Sequence, residues 1–181
     1  MTRIPQLTNR DQVAAEAWPI FDAIAASRGT VRGPFSVLMH SPEVAGRTAH
    51  LGTFVRFESS LAPHIREITV MTAARECECA YEWAAHVVSA REAGVSDATI
   101  EVIKQRLPVD GLPPREQALV RYARETVRDH KVSDNTFEAV YGLLGDRGMA
   151  ELTVAVGYYC LLACVLNAFE VPPLPGGEVL P

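Results

Sequence analysis

The sequence predicts an all-α fold, a helical bundle of about seven to nine helices, on three observations. Apolar residues recur at spacings of three and four along nearly the whole chain. No stretch alternates with period two over several strands, and no glycine-rich phosphate loop or internal repeat is present. Proline, glycine and capping residues cut the chain into helix-length pieces.

The pieces follow in order. Val13, Ala14, Ala17, Trp18, Phe21 and Ile24 share a helical spacing that ends at Gly29. A turn over 29–34 leads into a short helical piece with Phe35, Leu38 and Met39. Ser41-Pro42, a capping residue followed by proline at the first helical position, opens a helix carrying Val44, Ala45, Leu51, Phe54 and Val55. Leu61-Ala62-Pro63 opens another with Ile65, Ile68, Val70 and Met71, which runs into the 77–86 region and stops at Gly94. Ser96 caps a short helix with Ile100 and Ile103, closed by Pro108 and Gly111. Pro113-Pro114 begins a helix with Ala118, Leu119, Tyr122, Ala123 and Val127. Ser133 begins one with Phe137, Val140, Leu143 and Leu144, ended by the glycines at 145 and 148, and an apolar helix follows from about Met149. The proline- and glycine-rich end reads as extended.

At 181 residues, 48% apolar and 22% charged, the chain is expected to form one domain over 1–181, with its core at about 11–171 and an extended tail at 172–181. A net charge of −5 without a Lys/Arg cluster excludes an electrostatic grip on nucleic acid. Four cysteines, close in sequence as Cys77/Cys79 and Cys160/Cys164, make no disulfide framework. Cys160 and Cys164, at i and i+4, read as core. The opening Met1-Thr2-Arg3-Ile4-Pro5-Gln6 has no apolar leader core, so a reducing cytoplasm is expected. Residues 152–169 carry no charge. Polar Thr153, Tyr158, Tyr159 and Asn167 and the absence of an adjacent Lys/Arg anchor favour a buried helix or a subunit contact over a membrane span.

Chemistry concentrates in Cys77-Glu78-Cys79-Ala80-Tyr81-Glu82-Trp83-Ala84-Ala85-His86, with Glu67 twelve positions before Cys79. If a helix begins near Cys79, Glu82 and His86 at i+3 and i+7 share its face. On one unbroken helix Glu67 and Cys79 would stand roughly 18 Å apart, so Glu67 joins them only if the chain breaks and folds back, or if a second subunit supplies it. A break near 76–79 would set Cys79 at a helix N-terminus, where free N–H groups favour a thiolate. His86 could then take or return a proton, with Glu82 tethering it. The plainer alternative makes Cys79 a core filler and His86 an ordinary hydrogen-bonded histidine. Trp83 and Tyr81 read as packing, and His40, His50, His64 and His130 as surface or capping groups. Zinc on Cys77, Cys79 and His86 lacks a fourth ligand, and no metal or cofactor is expected.

Arg66-Glu67-Ile68 followed by Cys79, Glu82, His86, Ala90 and Gly94 resembles the carboxymuconolactone decarboxylase family, which includes alkylhydroperoxidase D. The local match spans about 67–94, and the helix order on either side, including 157–169, is similar. The resemblance implies the alkylhydroperoxidase D-like helical fold, a homo-oligomer, and roles for Glu67 as relay acid, Cys79 as first cysteine and His86 as relay histidine. The peroxidase pattern is Glu, then Cys-x-x-Cys, then His four residues on. Here Glu82 stands at the second cysteine and Tyr81 at the histidine between the two, so chemistry through a Cys-x-x-Cys disulfide is not available.

The expected function is a cofactor-free, peroxidase-like enzyme on a small hydroperoxide. Cys79 would be the nucleophile, with proton handling by His86, Glu67 and Glu82, and a thiol reductant as a partner. The alternative is decarboxylation or lactone chemistry by His86 and the carboxylates, with Arg56, Arg66 or Arg75 holding a substrate carboxylate. A third reading is a non-catalytic oligomeric binding protein.

Overall fold

Pro34, Pro42, Pro63 and Pro114 each occupy the first position of a helix, where the missing N–H costs nothing and the fixed φ suits the helix. These punctuation marks set most of the architecture. The computed structural model describes residues 2–181; Met1, the first position read for a leader, lies outside the described residues. Among the described residues all regular structure is helical, with eight α-helices, two short 3-10 turns, two π-helical turns and no strand. The expected all-α fold is the observed one.

The chain forms two compact units, the first made of residues up to Ser59 together with Cys164–Pro172, the second of Ser60–Ala163 with Pro173–Pro181.

In the first unit, 3-10 turns at Arg10–Gln12 and Ala15–Ala17 precede α1 (Trp18–Arg28), α2 (Pro34–Leu38) and α3 (Pro42–Thr53), which continues as a π-helical turn over Phe54–Glu58. The helix read from Val13 begins only at Trp18. Pro19 has no N–H to donate upstream and its ring would crowd the carbonyl of residue 15, so the preceding residues take a tighter turn. Phe21 and Ile24 of α1 pack with Val31, Phe35, Met39, Ala45 and Ala49, which forms the apolar core of this unit.

The second unit is built on α4 (Pro63–Glu76), buried without interruption from Glu67 to Arg75 and packed against α5 (Ala80–Glu92), α6 (Asp97–Lys104) and α7 (Pro114–Arg124). A π-helical turn over Glu125–Asp129 extends α7. The last helix, α8 (Asp134–Ala168), contains a break at Gly145, whose φ of 62° and ψ of −173° lie outside the helical region. The sequence placed a longer interruption there, over 145–148; one glycine suffices, because helix resumes at once. By length and composition α8 could cross a bilayer, yet 56% of its most apolar 18-residue window is buried inside the structure. The tail is irregular, as expected, and is tied down where Glu178 bonds Arg91 at 3.0 Å and Lys104 at 2.9 Å.

The turn between α4 and α5 decides the site. Glu78 N–H donates to Arg75 O at 3.2 Å and Cys79 N–H to Ala74 O at 2.8 Å, the paired bonds of a Schellman C-terminus. The left-handed position of that motif is held by Glu78, with φ 52°, where glycine is usual. Ion pairs from Glu78 to Arg75 at 2.6 Å and Arg106 at 2.5 Å offset the strain.

Candidate functional site: a carboxylate–imidazole–carboxylate relay

Reversal of the chain at Glu78 places Glu67, on α4, opposite His86, on α5, within one subunit. His86 Nδ1 lies 2.8 Å from Glu67 Oε2, and His86 Nε2 lies 3.4 Å from Glu82 Oε2, one turn earlier on α5. Arg66 Nε stands 3.4 Å from the other oxygen of Glu67. Tyr159 of α8 closes the far side, its ring meeting the His86 ring edge-to-face at 5.0 Å, and Tyr158 packs edge-to-face on Tyr159. Glu67, Glu82 and His86 are all buried.

The electrostatics follow from this sandwich. Burial alone would push the His86 pKa down, but hydrogen bonds and charge from Glu67 and Glu82 outweigh it and raise the pKa to about 9. Burial acts to raise the Glu67 pKa, and His86 with Arg66 overcomes it, leaving Glu67 below its ordinary range. At neutral pH the centre is therefore an imidazolium donating Nδ1–H to a Glu67 carboxylate, with Nε2–H directed at Glu82.

Cys79 is the N-cap of α5, so the segment read as running from Pro63 to Gly94 is two helices, and the break and helix N-terminus considered as a condition are both present. The expected consequence for the thiol does not hold. Burial, followed by the nearby negative charge of Glu82, pushes the Cys79 pKa up to about 12, although the backbone N–H groups of Glu82 and Tyr81 pull the other way. These N–H groups lie near the sulfur without forming a capping hydrogen bond of ordinary geometry. A helix terminus is worth too little to offset complete desolvation of a thiolate beside a carboxylate.

Other sequence candidates are placed as follows. Arg75 is occupied in structure, bonding Glu78 and the Lys104 carbonyl at 2.6 Å, and Arg56 lies over the Phe57 ring. Of the three arginines proposed for a substrate carboxylate, Arg66 is the one that touches the relay. Trp83, read as packing, is fully buried, and its Nε1 has no hydrogen-bond partner among the described residues. Cys160, read as core, is half-buried and faces Cys77, with 3.6 Å between the sulfurs, while Cys164 is exposed. The contact of Tyr159 with His86 was not visible in the sequence beyond the presence of a polar group on an apolar helix. No group of three or more His, Cys, Asp or Glu side chains among the described residues is arranged to hold a metal ion.

Residues 42–125 match the family model described as the carboxymuconolactone decarboxylase family. Among curated proteins none matches this sequence. Solved structures similar in fold include the following three. One, from Ralstonia eutropha JMP134, is described as an alkylhydroperoxidase AhpD core and an uncharacterized peroxidase-related protein; it is 18% identical, with a TM-score of 0.78 over 96% of this chain and 93% of that one. An uncharacterized peroxidase-related protein from Silicibacter sp. TM1040 is 18% identical, with a TM-score of 0.71 over 96% and 94%. A protein of unknown function from Agrobacterium tumefaciens, a putative antioxidant defence protein AhpD, is 19% identical, with a TM-score of 0.66 over 78% and 98%.

Proposed function

From the premise that the chain belongs to the carboxymuconolactone decarboxylase family through residues 42–125 and has an alkylhydroperoxidase D-like fold, we propose that it is a cofactor-free acid–base enzyme acting on a small substrate. Proton transfer runs through Glu82 and His86, with Glu67 as the orienting carboxylate. The observation that carries this reading is the clamping of His86 between Glu67 at 2.8 Å and Glu82 at 3.4 Å.

Each residue has a defined task. Glu67 accepts Nδ1–H and fixes the ring, so that Nε2 always faces Glu82. Glu82 exchanges a proton with the substrate and passes it to or from His86 Nε2. Arg66 supplies positive charge for a substrate carboxylate. In a decarboxylation the bond to the leaving CO2 breaks, and the electron pair left on carbon takes a proton that His86 releases through Glu82. In lactone chemistry the same pair moves a proton between carbon and oxygen.

Thiol-based, peroxidase-like chemistry at Cys79 is the second reading. It is supported by the N–H groups of Tyr81 and Glu82 acting on the sulfur and by fold neighbours described as peroxidase-related. A pKa of about 12 weighs against it, since only roughly one thiol in 10⁵ is ionised at pH 7.

The two readings part in one experiment, in which Cys79→Ser and His86→Ala variants are assayed against small carboxylated lactones and against organic hydroperoxides. The acid–base reading expects turnover to survive Cys79→Ser and to fall 10²–10⁴-fold, in order of magnitude, in His86→Ala. Hydroperoxide turnover abolished by Cys79→Ser would overturn it. Self-association belongs to the same proposal. It is supported by exposed Val154, Gly157 and Leu161 on one face of α8.

A further inference from the structure

We propose that Cys77 and Cys160 form a redox-active dithiol that closes to a disulfide by exchange with a small disulfide of the glutathione type and reopens with the corresponding thiol. The proposal concerns sulfurs outside the relay and does not depend on the acid–base reading.

Geometry carries it. Cys77 is the C-cap that follows α4, and Cys160 lies on α8, 83 positions later, yet their sulfurs are 3.6 Å apart with the Cys77 S–H donated to Cys160. Closing the bond requires the sulfurs to approach from 3.6 Å to about 2.05 Å. Both cysteines are half-buried, so a small disulfide can reach them while the α4–α5 turn and α8 hold them in register. The other two cysteines lack this combination, since Cys79 is fully buried and Cys164 is exposed.

Direction follows from the hydrogen bond. The Cys77 S–H is donated to the Cys160 sulfur, and that bond together with burial raises the pKa of Cys77. Cys160 is therefore the first nucleophile. Its thiolate attacks one sulfur of oxidised glutathione, breaking that disulfide, forming a mixed disulfide and releasing one glutathione. Cys77 then gives its proton to solvent and attacks the Cys160 sulfur, releasing the second glutathione. Two cysteine thiols lose two electrons and two protons, and one glutathione disulfide becomes two glutathione thiols.

The test equilibrates the full chain in mixtures of reduced and oxidised glutathione, blocks the remaining thiols and maps linkages by mass spectrometry. Cys77 shares a tryptic peptide with Cys79, and Cys160 shares one with Cys164, so fragmentation of the linked peptides locates the bond. In oxidising buffer the expected result is loss of two of the four thiols, a single Cys77–Cys160 link and full return to four thiols with excess reduced glutathione. The link persists in Cys164→Ser and disappears in Cys77→Ser and in Cys160→Ser, with circular dichroism confirming that these variants are folded. Four thiols retained in fully oxidising buffer, or a bond located at Cys79 or Cys164, would overturn the proposal.

Discussion

Two glutamates nine positions apart on α4 are buried in opposite company. Glu67 faces an imidazole, His86, at 2.8 Å. The Glu76 side chain is 1% exposed and faces three guanidiniums: Arg106 at 3.1 Å, Arg128 at 2.5 Å and Arg124 at 3.5 Å. The last of these is an ion pair without hydrogen-bond geometry, since Glu76 Oε1 and Arg124 Nε have no hydrogen-bond partner among the described residues. A guanidinium does not release its proton at any ordinary pH, so the Glu76 cluster is a fixed charge array that pins α4 to the segments around it. An imidazole does release its proton, so the Glu67 cluster can pass one on. The partner, more than burial, separates a structural carboxylate from a chemical one.

That contrast predicts two different kinds of damage. Glu82→Gln keeps the shape of the relay and removes the exchangeable carboxylate. Its expected effect is a loss of turnover on the order of 10²–10⁴-fold with little change in the denaturant midpoint, read by steady-state kinetics beside urea unfolding. A variant that instead unfolds early with normal turnover would make Glu82 structural. Glu76→Ala should do the reverse. It strands positive charge that the fold brings together, and urea unfolding should show a loss of about 3 kcal/mol. A Glu76→Ala protein of unchanged stability would mean that its arginines simply turn into solvent.

Stability should also depend on pH through the relay. The folded His86 pKa of about 9 lies above its ordinary 6.5, so the contribution of its ion pairs is complete below about pH 6.5 and is lost as pH rises through 9. Glu67 is lowered from 4.5, so its contribution is complete above about pH 4.5 and is lost as the pH falls through its lower folded value. The relay therefore contributes most between about pH 4.5 and 6.5, and Glu67→Gln should flatten both edges of the melting-temperature profile. The smallest expected effect belongs to Glu78→Gly, where relief of the left-handed backbone opposes loss of two partly exposed ion pairs. Thermal melts should place it within about 1 kcal/mol of the parent.

The turn at Glu78 also explains how much could be read from the sequence. Helix ends at Gly29 and Gly94 were visible because glycine occupies their left-handed positions, at φ 77° and 85°. The left-handed positions at Glu78, Arg106 and Glu170 carry side chains, so composition does not mark them. The break between α4 and α5 could be inferred only from the need to bring Glu67 to Cys79, a need that a second subunit could equally have met. The shared face of Cys79, Glu82 and His86 follows from helical spacing and was legible. The thiol pKa was not, because it depends on how deeply the packed helices bury the sulfur. The Cys77–Cys160 approach joins elements 83 positions apart, and no local pattern reports it.

The central claim is that His86 is a doubly held proton carrier, and titration of its imidazole by NMR tests this most directly. The account predicts a His86 pKa near 9 in the parent chain, moving down toward 6.5 when Glu67→Gln removes one carboxylate. A His86 that titrates near 6.5 in the parent, or that ignores the Glu67 substitution, would contradict it.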